Sequence, residues 1–170
     1  MFNENISSNQ PHSIHPHRTA VGSEIGTAQF TRTSDTGTNH LGVQDDSTDL
    51  GAVVFDVPIT TLDSFAEQHD FDVVRLLKID AEGADINVLR GASSLLNDKR
   101  IEAIIVEVPL TPNTRSEMIE FLESHGMTTA YIQRNSVQLQ PSNEEIYNDL
   151  VRAPLNMLAV RTDLESLLLR

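Results

Sequence analysis

The chain has 170 residues, a formal net charge of −13 at pH 7 and no cysteine. This length fits one domain, and the lack of cysteine excludes disulfides, thiolate metal sites and cysteine nucleophiles. The acidic charge argues against nucleic acid and anionic membrane surfaces as partners, since both require a basic face. No apolar run approaches the ~20 residues of a membrane span, and the polar N-terminus lacks a signal peptide's basic segment, so a cytoplasmic location is expected. Scarce lysine and few aromatic residues leave a salt-adapted source and an ordinary acidic protein as alternatives.

Apolar patterning predicts alternating strands and helices in a single domain over 1–170. Residues 1–13 are polar and ragged, two β-prone runs within 14–31 predict a hairpin, and 32–52 are predicted to be a long loop. The further predicted elements are, in chain order, a strand at 53–57 stopped by Pro58, a helix capped by Thr60 or Thr61, a strand at 73–79, a helix at 84–97, a strand at 101–108, a helix at 115–125 closed by Gly126, a strand at 128–133, a short helix at 143–151, a strand at 155–161 and a helical turn at 164–169. This alternation predicts an α/β fold with a doubly wound, mainly parallel sheet and helices on both of its faces.

The most informative stretch is the predicted strand at 73–79 with the residues that follow it. Its nearly continuous apolar residues are typical of a strand covered on both faces, and it ends in Asp80, Glu82 and Gly83. Ligands of open α/β sheets bind beyond the carboxyl ends of the strands, so Asp80 and Glu82 are candidate site residues. The structural alternative is that Asp80 caps the next helix and Glu82 complements its dipole.

Two further charged residues are expected to join this pair of carboxylates. Lys78 shares a strand face with Asp80, and Glu107 ends the next predicted strand. A lysine inside a buried strand requires a carboxylate partner, so we expect it to pair with Asp80, Glu82 or Glu107. The cluster either forms a structural ion pair or serves a reaction, by orienting a substrate, deprotonating a hydroxyl or holding a hard cation. The sequence contains no G-x-G-x-x-G, Walker A or G-x-S-x-G motif.

Three segments resemble the FkbM family of S-adenosylmethionine-dependent methyltransferases: Val-Pro-Ile-Thr-Thr-Leu-Asp at 57–63, Leu-Leu-Lys-Ile-Asp-Ala-Glu-Gly-Ala-Asp at 76–85 and Val-Leu-Arg-Gly-Ala at 88–92. The resemblance implies a Rossmann-like class I methyltransferase fold with S-adenosylmethionine as cofactor. It implies cofactor contacts at Ala20 and Asp80, and catalytic roles for Lys78, Asp80, Glu82 and Glu107. The implied reaction is methyl transfer to the hydroxyl of a small molecule or glycan.

The resemblance departs from the family at the front of the chain. Family members begin with a strand ending in a glycine-rich loop and a second strand ending in Glu, and neither is in this sequence. The resemblance therefore implies an N-terminally truncated domain in which cofactor binding is weak or lost. Without these central strands, 73–79 would be an exposed apolar edge, and we expect a gap, a rearranged hairpin pairing or a homo-oligomer that covers the edge.

Two other functions remain open at this stage. One is a non-catalytic methyltransferase remnant or interaction module, and the other is a metal-assisted hydrolase that uses Asp80, Glu82 and Glu107 as oxygen ligands.

Overall fold

The computed structural model describes residues 14–32, 40–41, 53–132, 139–141 and 156–167. Its elements are, in chain order, β1 Ala20–Val21, β2 Gly26–Arg32, β3 His40–Leu41, β4 Val53–Thr60, α1 Leu62–Gln68, β5 Leu77–Ile79, α2 Asp85–Arg90, α3 Ser93–Asn97, β6 Ala103–Glu107, α4 Pro112–Ser124, β7 Met127–Ile132, β8 Leu139–Pro141, β9 Asn156–Arg161 and a 3-10 helix Thr162–Leu167. The predicted ragged segment 1–13 and the predicted helix at 143–151 lie outside the described residues.

The strands form two mixed sheets, with the orders β1-β4-β2-β3 and β5-β6-β9-β7-β8. Only the β1–β4 and β5–β6 pairs are parallel, and every other pair is antiparallel. The α/β class is confirmed, but the prediction of one mainly parallel sheet is wrong. The physical reason is strand insertion: β9 enters between β6 and β7 and runs antiparallel to both, so β5–β6 is the one hydrogen-bonded parallel pair among the described strands of that sheet.

The first sheet does not contain the predicted hairpin within 14–31. Strand β4 lies between β1 and β2, so that Ile59 faces Ala20 on one side and Gly26 on the other. Pro58 does not end β4 as predicted, because pairing with β1 begins only after it and its missing N–H therefore faces no strand on that side. The predicted loop at 32–52 contains the end of β2 and the short strand β3, and its other residues lie outside the described ranges.

Strand β5 lies at one edge of the second sheet. It is shorter than the predicted strand at 73–79, which continues before Leu77 only as an isolated bridge between Val74 and Ile101. Leu76 is 56% exposed and Val73 is also exposed, so the expectation of cover on both faces is wrong. The expected exposed apolar edge is confirmed. Among the described strands, none of the first sheet pairs with a strand of the second.

The predicted helix at 84–97 is divided into α2 and α3 at Gly91. A Cβ atom at Gly91 would lie 2.0 Å from the Gly22 carbonyl oxygen, so the close approach of the β1–β2 turn requires glycine there. The carboxylate of Asp63 then accepts hydrogen bonds from the N–H groups of Ser94 and Leu95, both at 2.9 Å, at the start of α3. This contact holds α1, which follows β4 of the first sheet, to α3, which lies in the connection between β5 and β6 of the second sheet.

The apolar core lies around the second sheet. Its most deeply buried side chains come from α2, β6, α4 and the antiparallel strands, and include Leu89, Ile104, Leu122, Tyr131 and Ala159. Helix α4 starts earlier than the predicted helix at 115–125, with a proline in its first turn, and is closed as predicted by Gly126 at φ 75°. This packed layer fixes the carboxyl ends of β5 and β6, where the candidate site lies.

Candidate functional site

The site is built on the turn at 80–85, directly after β5. Glu82 and Gly83 both adopt positive φ, at 44° and 91°. The carboxylate of Asp85, only 7% exposed, accepts hydrogen bonds from the N–H of Ala81 at 3.1 Å and from the N–H of Gly83 at 3.2 Å. A left-handed conformation is unfavourable for glutamate, and these two hydrogen bonds on either side of Glu82 hold the turn in place.

Two clefts meet at this turn, and Glu82 lines both of them. The first, of about 480 Å³, lies against the β1–β2 turn, and its lining includes Gly22, Glu24, Gly26 and Asn87. The second, of about 410 Å³, lies between the turn at 80–85 and the connection from β6 to α4. Both volumes fall in the range of small-molecule sites.

Lys78 and Asp80 form an ion pair beside these clefts. The Nζ of Lys78 lies 3.3 Å from Oδ2 of Asp80 and also donates a hydrogen bond of 2.8 Å to the carbonyl of Ile79. The expected pairing of Lys78 with one of three carboxylates is confirmed, and the partner is Asp80, whereas the predicted burial of Lys78 is wrong because β5 is an edge strand. Asp80 does not cap the following helix, since α2 begins after Ala84 without a side-chain cap. Neither member of the pair lines either cleft.

Glu107 ends β6 and lines the second cleft, together with Glu82 and Asp85. Partial burial raises the pKa of Glu107, and repulsion from Asp80, Glu82 and Asp85 raises it further, while Lys78 acts in the opposite direction. The sequence prediction that Glu107 lies near the acidic turn is therefore confirmed. The cluster carries excess negative charge, because Lys78 is its one positive partner among these groups.

Two residues of the site were missed by sequence reasoning. Asp85 was not singled out as the residue that stabilises the turn, and Arg115 was not considered. Arg115 is 2% exposed, and its Nη1 donates hydrogen bonds to the carbonyls of Pro109 at 2.9 Å and Leu110 at 3.2 Å. It thereby fixes the loop that forms the outer wall of the second cleft. A signal existed at Asp85, a carboxylate shortly after a glycine turn, but the pattern of α4 gives none for a buried arginine.

The structure places Ala20, the other implied cofactor contact, in edge strand β1. It is partly buried and lines neither cleft, although the next two residues, Val21 and Gly22, line the first. Within the described residues, no three carboxylate or histidine side chains are arranged to hold one metal ion, so the metal-assisted hydrolase has no support from the geometry.

A protein-family model described as the methyltransferase FkbM domain matches residues 3–128. These residues include both clefts, the turn at 80–85 and Glu107. The chain therefore belongs to the FkbM methyltransferase family, as the resemblance of its motifs implied. No curated protein and no solved structure shows a significant match to the chain. None of the helices in the described ranges has the length and apolar composition needed to cross a bilayer.

Proposed function

We propose that the protein transfers a methyl group from S-adenosylmethionine to a hydroxyl oxygen of a small molecule or glycan. Family membership supports methyl transfer, and one geometric observation supports a two-ligand reaction at this place: Glu82 lines both clefts. In this proposal the cofactor lies in the first cleft and the acceptor in the second. Their reacting groups then meet at the turn at 80–85, where a positioned carboxylate is available.

The lining of the first cleft fits the proposed cofactor. Its glycines leave backbone groups open to a ligand, and Glu24 and Glu82 supply carboxylates that suit the sulfonium charge and the ribose hydroxyls. The family resemblance also implies roles for three residues beside this cleft. They are Lys78 and Asp80 at the end of β5, and Ala20 in β1. When bound, S-adenosylmethionine supplies a methyl carbon that is open to in-line attack by the acceptor oxygen.

The protein's own groups would position the acceptor and remove its proton. The Glu82 carboxylate would accept a hydrogen bond from the acceptor hydroxyl and take its proton when the methyl carbon passes from sulfur to that oxygen, which would leave S-adenosylhomocysteine. Glu107 lines the same cleft, and its raised pKa makes it a stronger proton acceptor than an ordinary glutamate. Lys78 would orient Asp80 through their ion pair beside the clefts.

The test combines cofactor binding with turnover in matched variants. Calorimetry with S-adenosylmethionine and release of S-adenosylhomocysteine in the presence of polyols and methyl glycosides are measured for the wild type, Glu82→Gln and Glu120→Gln. Glu120 is exposed on α4 and lines neither cleft, so this variant is the matched loss of one charge. We expect Glu82→Gln to lower turnover by about 10²-fold or more, and the control to match the wild type. A wild type that neither binds the cofactor nor releases the product, or a fully active Glu82→Gln, contradicts the proposal.

A second candidate function, association of two copies, is favoured by the exposed edge of β5. One side of β5 is unpaired among the described strands, and the segment before it exposes the apolar side chains of Phe71, Val73 and Leu76, which we call the apolar strip. We propose that a second copy covers this strip, because antiparallel pairing of two identical edges satisfies both at once. Light scattering after size exclusion should show a dimer for the wild type and a monomer for Leu76→Lys. A monomeric wild type over the accessible concentration range contradicts this candidate.

A further inference from the structure

The second cleft combines an apolar wall with an acidic end. Ile86, Val108, Pro109 and Leu110 supply apolar surface, and Met118 forms part of the buried floor. Leu110 is 78% exposed, yet the backbone on which it stands is held by the buried Arg115. An apolar side chain that is open to solvent and stands on a held backbone provides a contact for an apolar ligand.

The charge at the inner end of this cleft is not balanced by a cation among the residues that line it. Three carboxylates line it, those of Glu82, Asp85 and Glu107, and its lining includes no basic side chain. The nearby Lys78 is already engaged by Asp80 and by the Ile79 carbonyl. Within the described residues, no hydrogen bond or ion pair holds the side chains of Glu82 or Glu107, which leaves both free to accept from a ligand.

We propose that this cleft binds a cationic amphiphile, an amine-bearing small molecule whose apolar body packs on Ile86 and Leu110 while its ammonium group faces Glu82 and Glu107. The inference deepens the proposed function and rests on it where it names the acceptor class: a hydroxyl compound that also carries an amine. A phosphate- or carboxylate-bearing compound of the same size is disfavoured by the repulsion of the three acids.

An ammonium group at this position would offset the electrostatic repulsion among the carboxylates of the empty cleft. Burial and mutual repulsion disfavour the charged form of Glu107, and a bound cation reverses the sign of the local field. Binding of the cation should therefore be tighter at a pH where Glu107 is ionised. The neutral and anionic analogues lack this dependence or show it with the opposite sign.

The test uses three matched probes, hexylammonium, hexanol and hexanoate, with no cofactor present. Binding is followed by NMR of the methyl groups of Ile86, Leu110 and Met118 in the full chain. We expect hexylammonium to bind about tenfold more tightly than hexanoate, with hexanol between them. Glu107→Gln should weaken hexylammonium by about threefold to tenfold and leave hexanol unchanged, whereas Leu110→Ala should weaken all three probes. Glu120→Gln serves as the charge control away from the cleft.

Each outcome either supports or overturns the inference. Equal affinity for hexanoate and hexylammonium, insensitivity of hexylammonium to Glu107→Gln, or absence of binding by all three probes overturns it. Cofactor calorimetry separates this result from the proposed function. If the protein binds ammonium compounds selectively but does not bind S-adenosylmethionine, the proposed ligand class stands and the proposed methyl transfer is wrong. If it binds the cofactor without selectivity for ammonium compounds, the proposed methyl transfer stands and the proposed ligand class is wrong.

Discussion

Replacing Asp85 with asparagine tests whether the turn at 80–85 is held by the carboxylate behind it. Oδ1 of Asp85 accepts from the N–H of Ala81, and Oδ2 accepts from the N–H of Gly83. Asparagine keeps the shape but has one oxygen, so one hydrogen bond is lost and an amide N–H is placed against a backbone N–H. A hydrogen bond to a buried charged group contributes about 1.5–3 kcal/mol, so we expect Asp85→Asn to lower the free energy of unfolding by about 2 kcal/mol.

This loss is measurable by urea denaturation. With a slope of about 1–3 kcal/mol per molar urea, the midpoint should fall by roughly 1 M. The amide protons of Ala81 and Gly83 should also exchange faster with solvent, because the structure that protects them is weakened. The expected functional consequence is a lower affinity at both clefts, since the turn that lines them is no longer fixed.

The chain offers a matched control in Asp63. Its two carboxylate oxygens likewise accept one backbone N–H each, from Ser94 and Leu95, but away from the turn at 80–85. Asp63→Asn should reduce stability by about 1 kcal/mol, since this carboxylate is more exposed, without changing ligand binding at the turn. An Asp85→Asn protein with unchanged stability and unchanged amide exchange refutes the reasoning. So does an Asp63→Asn protein that loses binding to the same extent.

Three further predictions concern single residues of the site. Glu82→Gly should raise the free energy of unfolding by about 1 kcal/mol by removing the cost of a positive φ, while turnover falls; Lys99→Gly, at φ 57°, should stabilise without affecting turnover. Because the folded-state pKa of Glu107 is raised above its usual 4.5, its contribution to stability is complete below pH 4.5 and is lost as pH rises through the raised value. In denaturation at a series of pH values, Glu107→Gln should reduce the loss of unfolding free energy that accompanies rising pH. A pH dependence equal to that of the wild type contradicts the raised pKa of Glu107. Arg115→Met should lower the thermal midpoint by leaving the Pro109 and Leu110 carbonyls without their donor and should shift the Leu110 methyl resonances; unchanged Leu110 resonances would show that the loop does not depend on Arg115.

Local patterns in the sequence predicted the acidic end of β5 well. Residues two apart on a strand share a face, and this made Asp80 one of the three expected partners of Lys78, the one that the structure shows. Parallel neighbours end at the same edge of a sheet, and this brings Glu107 near the turn that follows β5. Both inferences depend on short-range geometry, and that geometry does not change with the order of the sheet.

Long-range pairing could not be predicted in the same way. The two β-prone runs on either side of residues 22–26 are compatible with pairing to each other. Nothing in their local sequence indicates that β4 inserts between them. The same holds for β5: a run of apolar residues is expected in a covered strand, but exposure depends on which strands are available on its outer side. The buried Arg115 was missed because an arginine on an amphipathic helix is normally solvated, and its carbonyl partners belong to a loop whose path the sequence does not reveal.

The backbone of Glu82 provides an independent reason to place function at this turn. The described residues include three non-glycine residues with positive φ: Asp70, Glu82 and Lys99. Asp70 and Lys99 follow the ends of α1 and α3, where a left-handed residue commonly terminates a helix. Glu82 instead follows a strand, and its neighbour Gly83 shows that glycine is available for such a turn. A glycine at 82 would cost less, so the side chain and not the backbone accounts for glutamate at the junction of the two clefts.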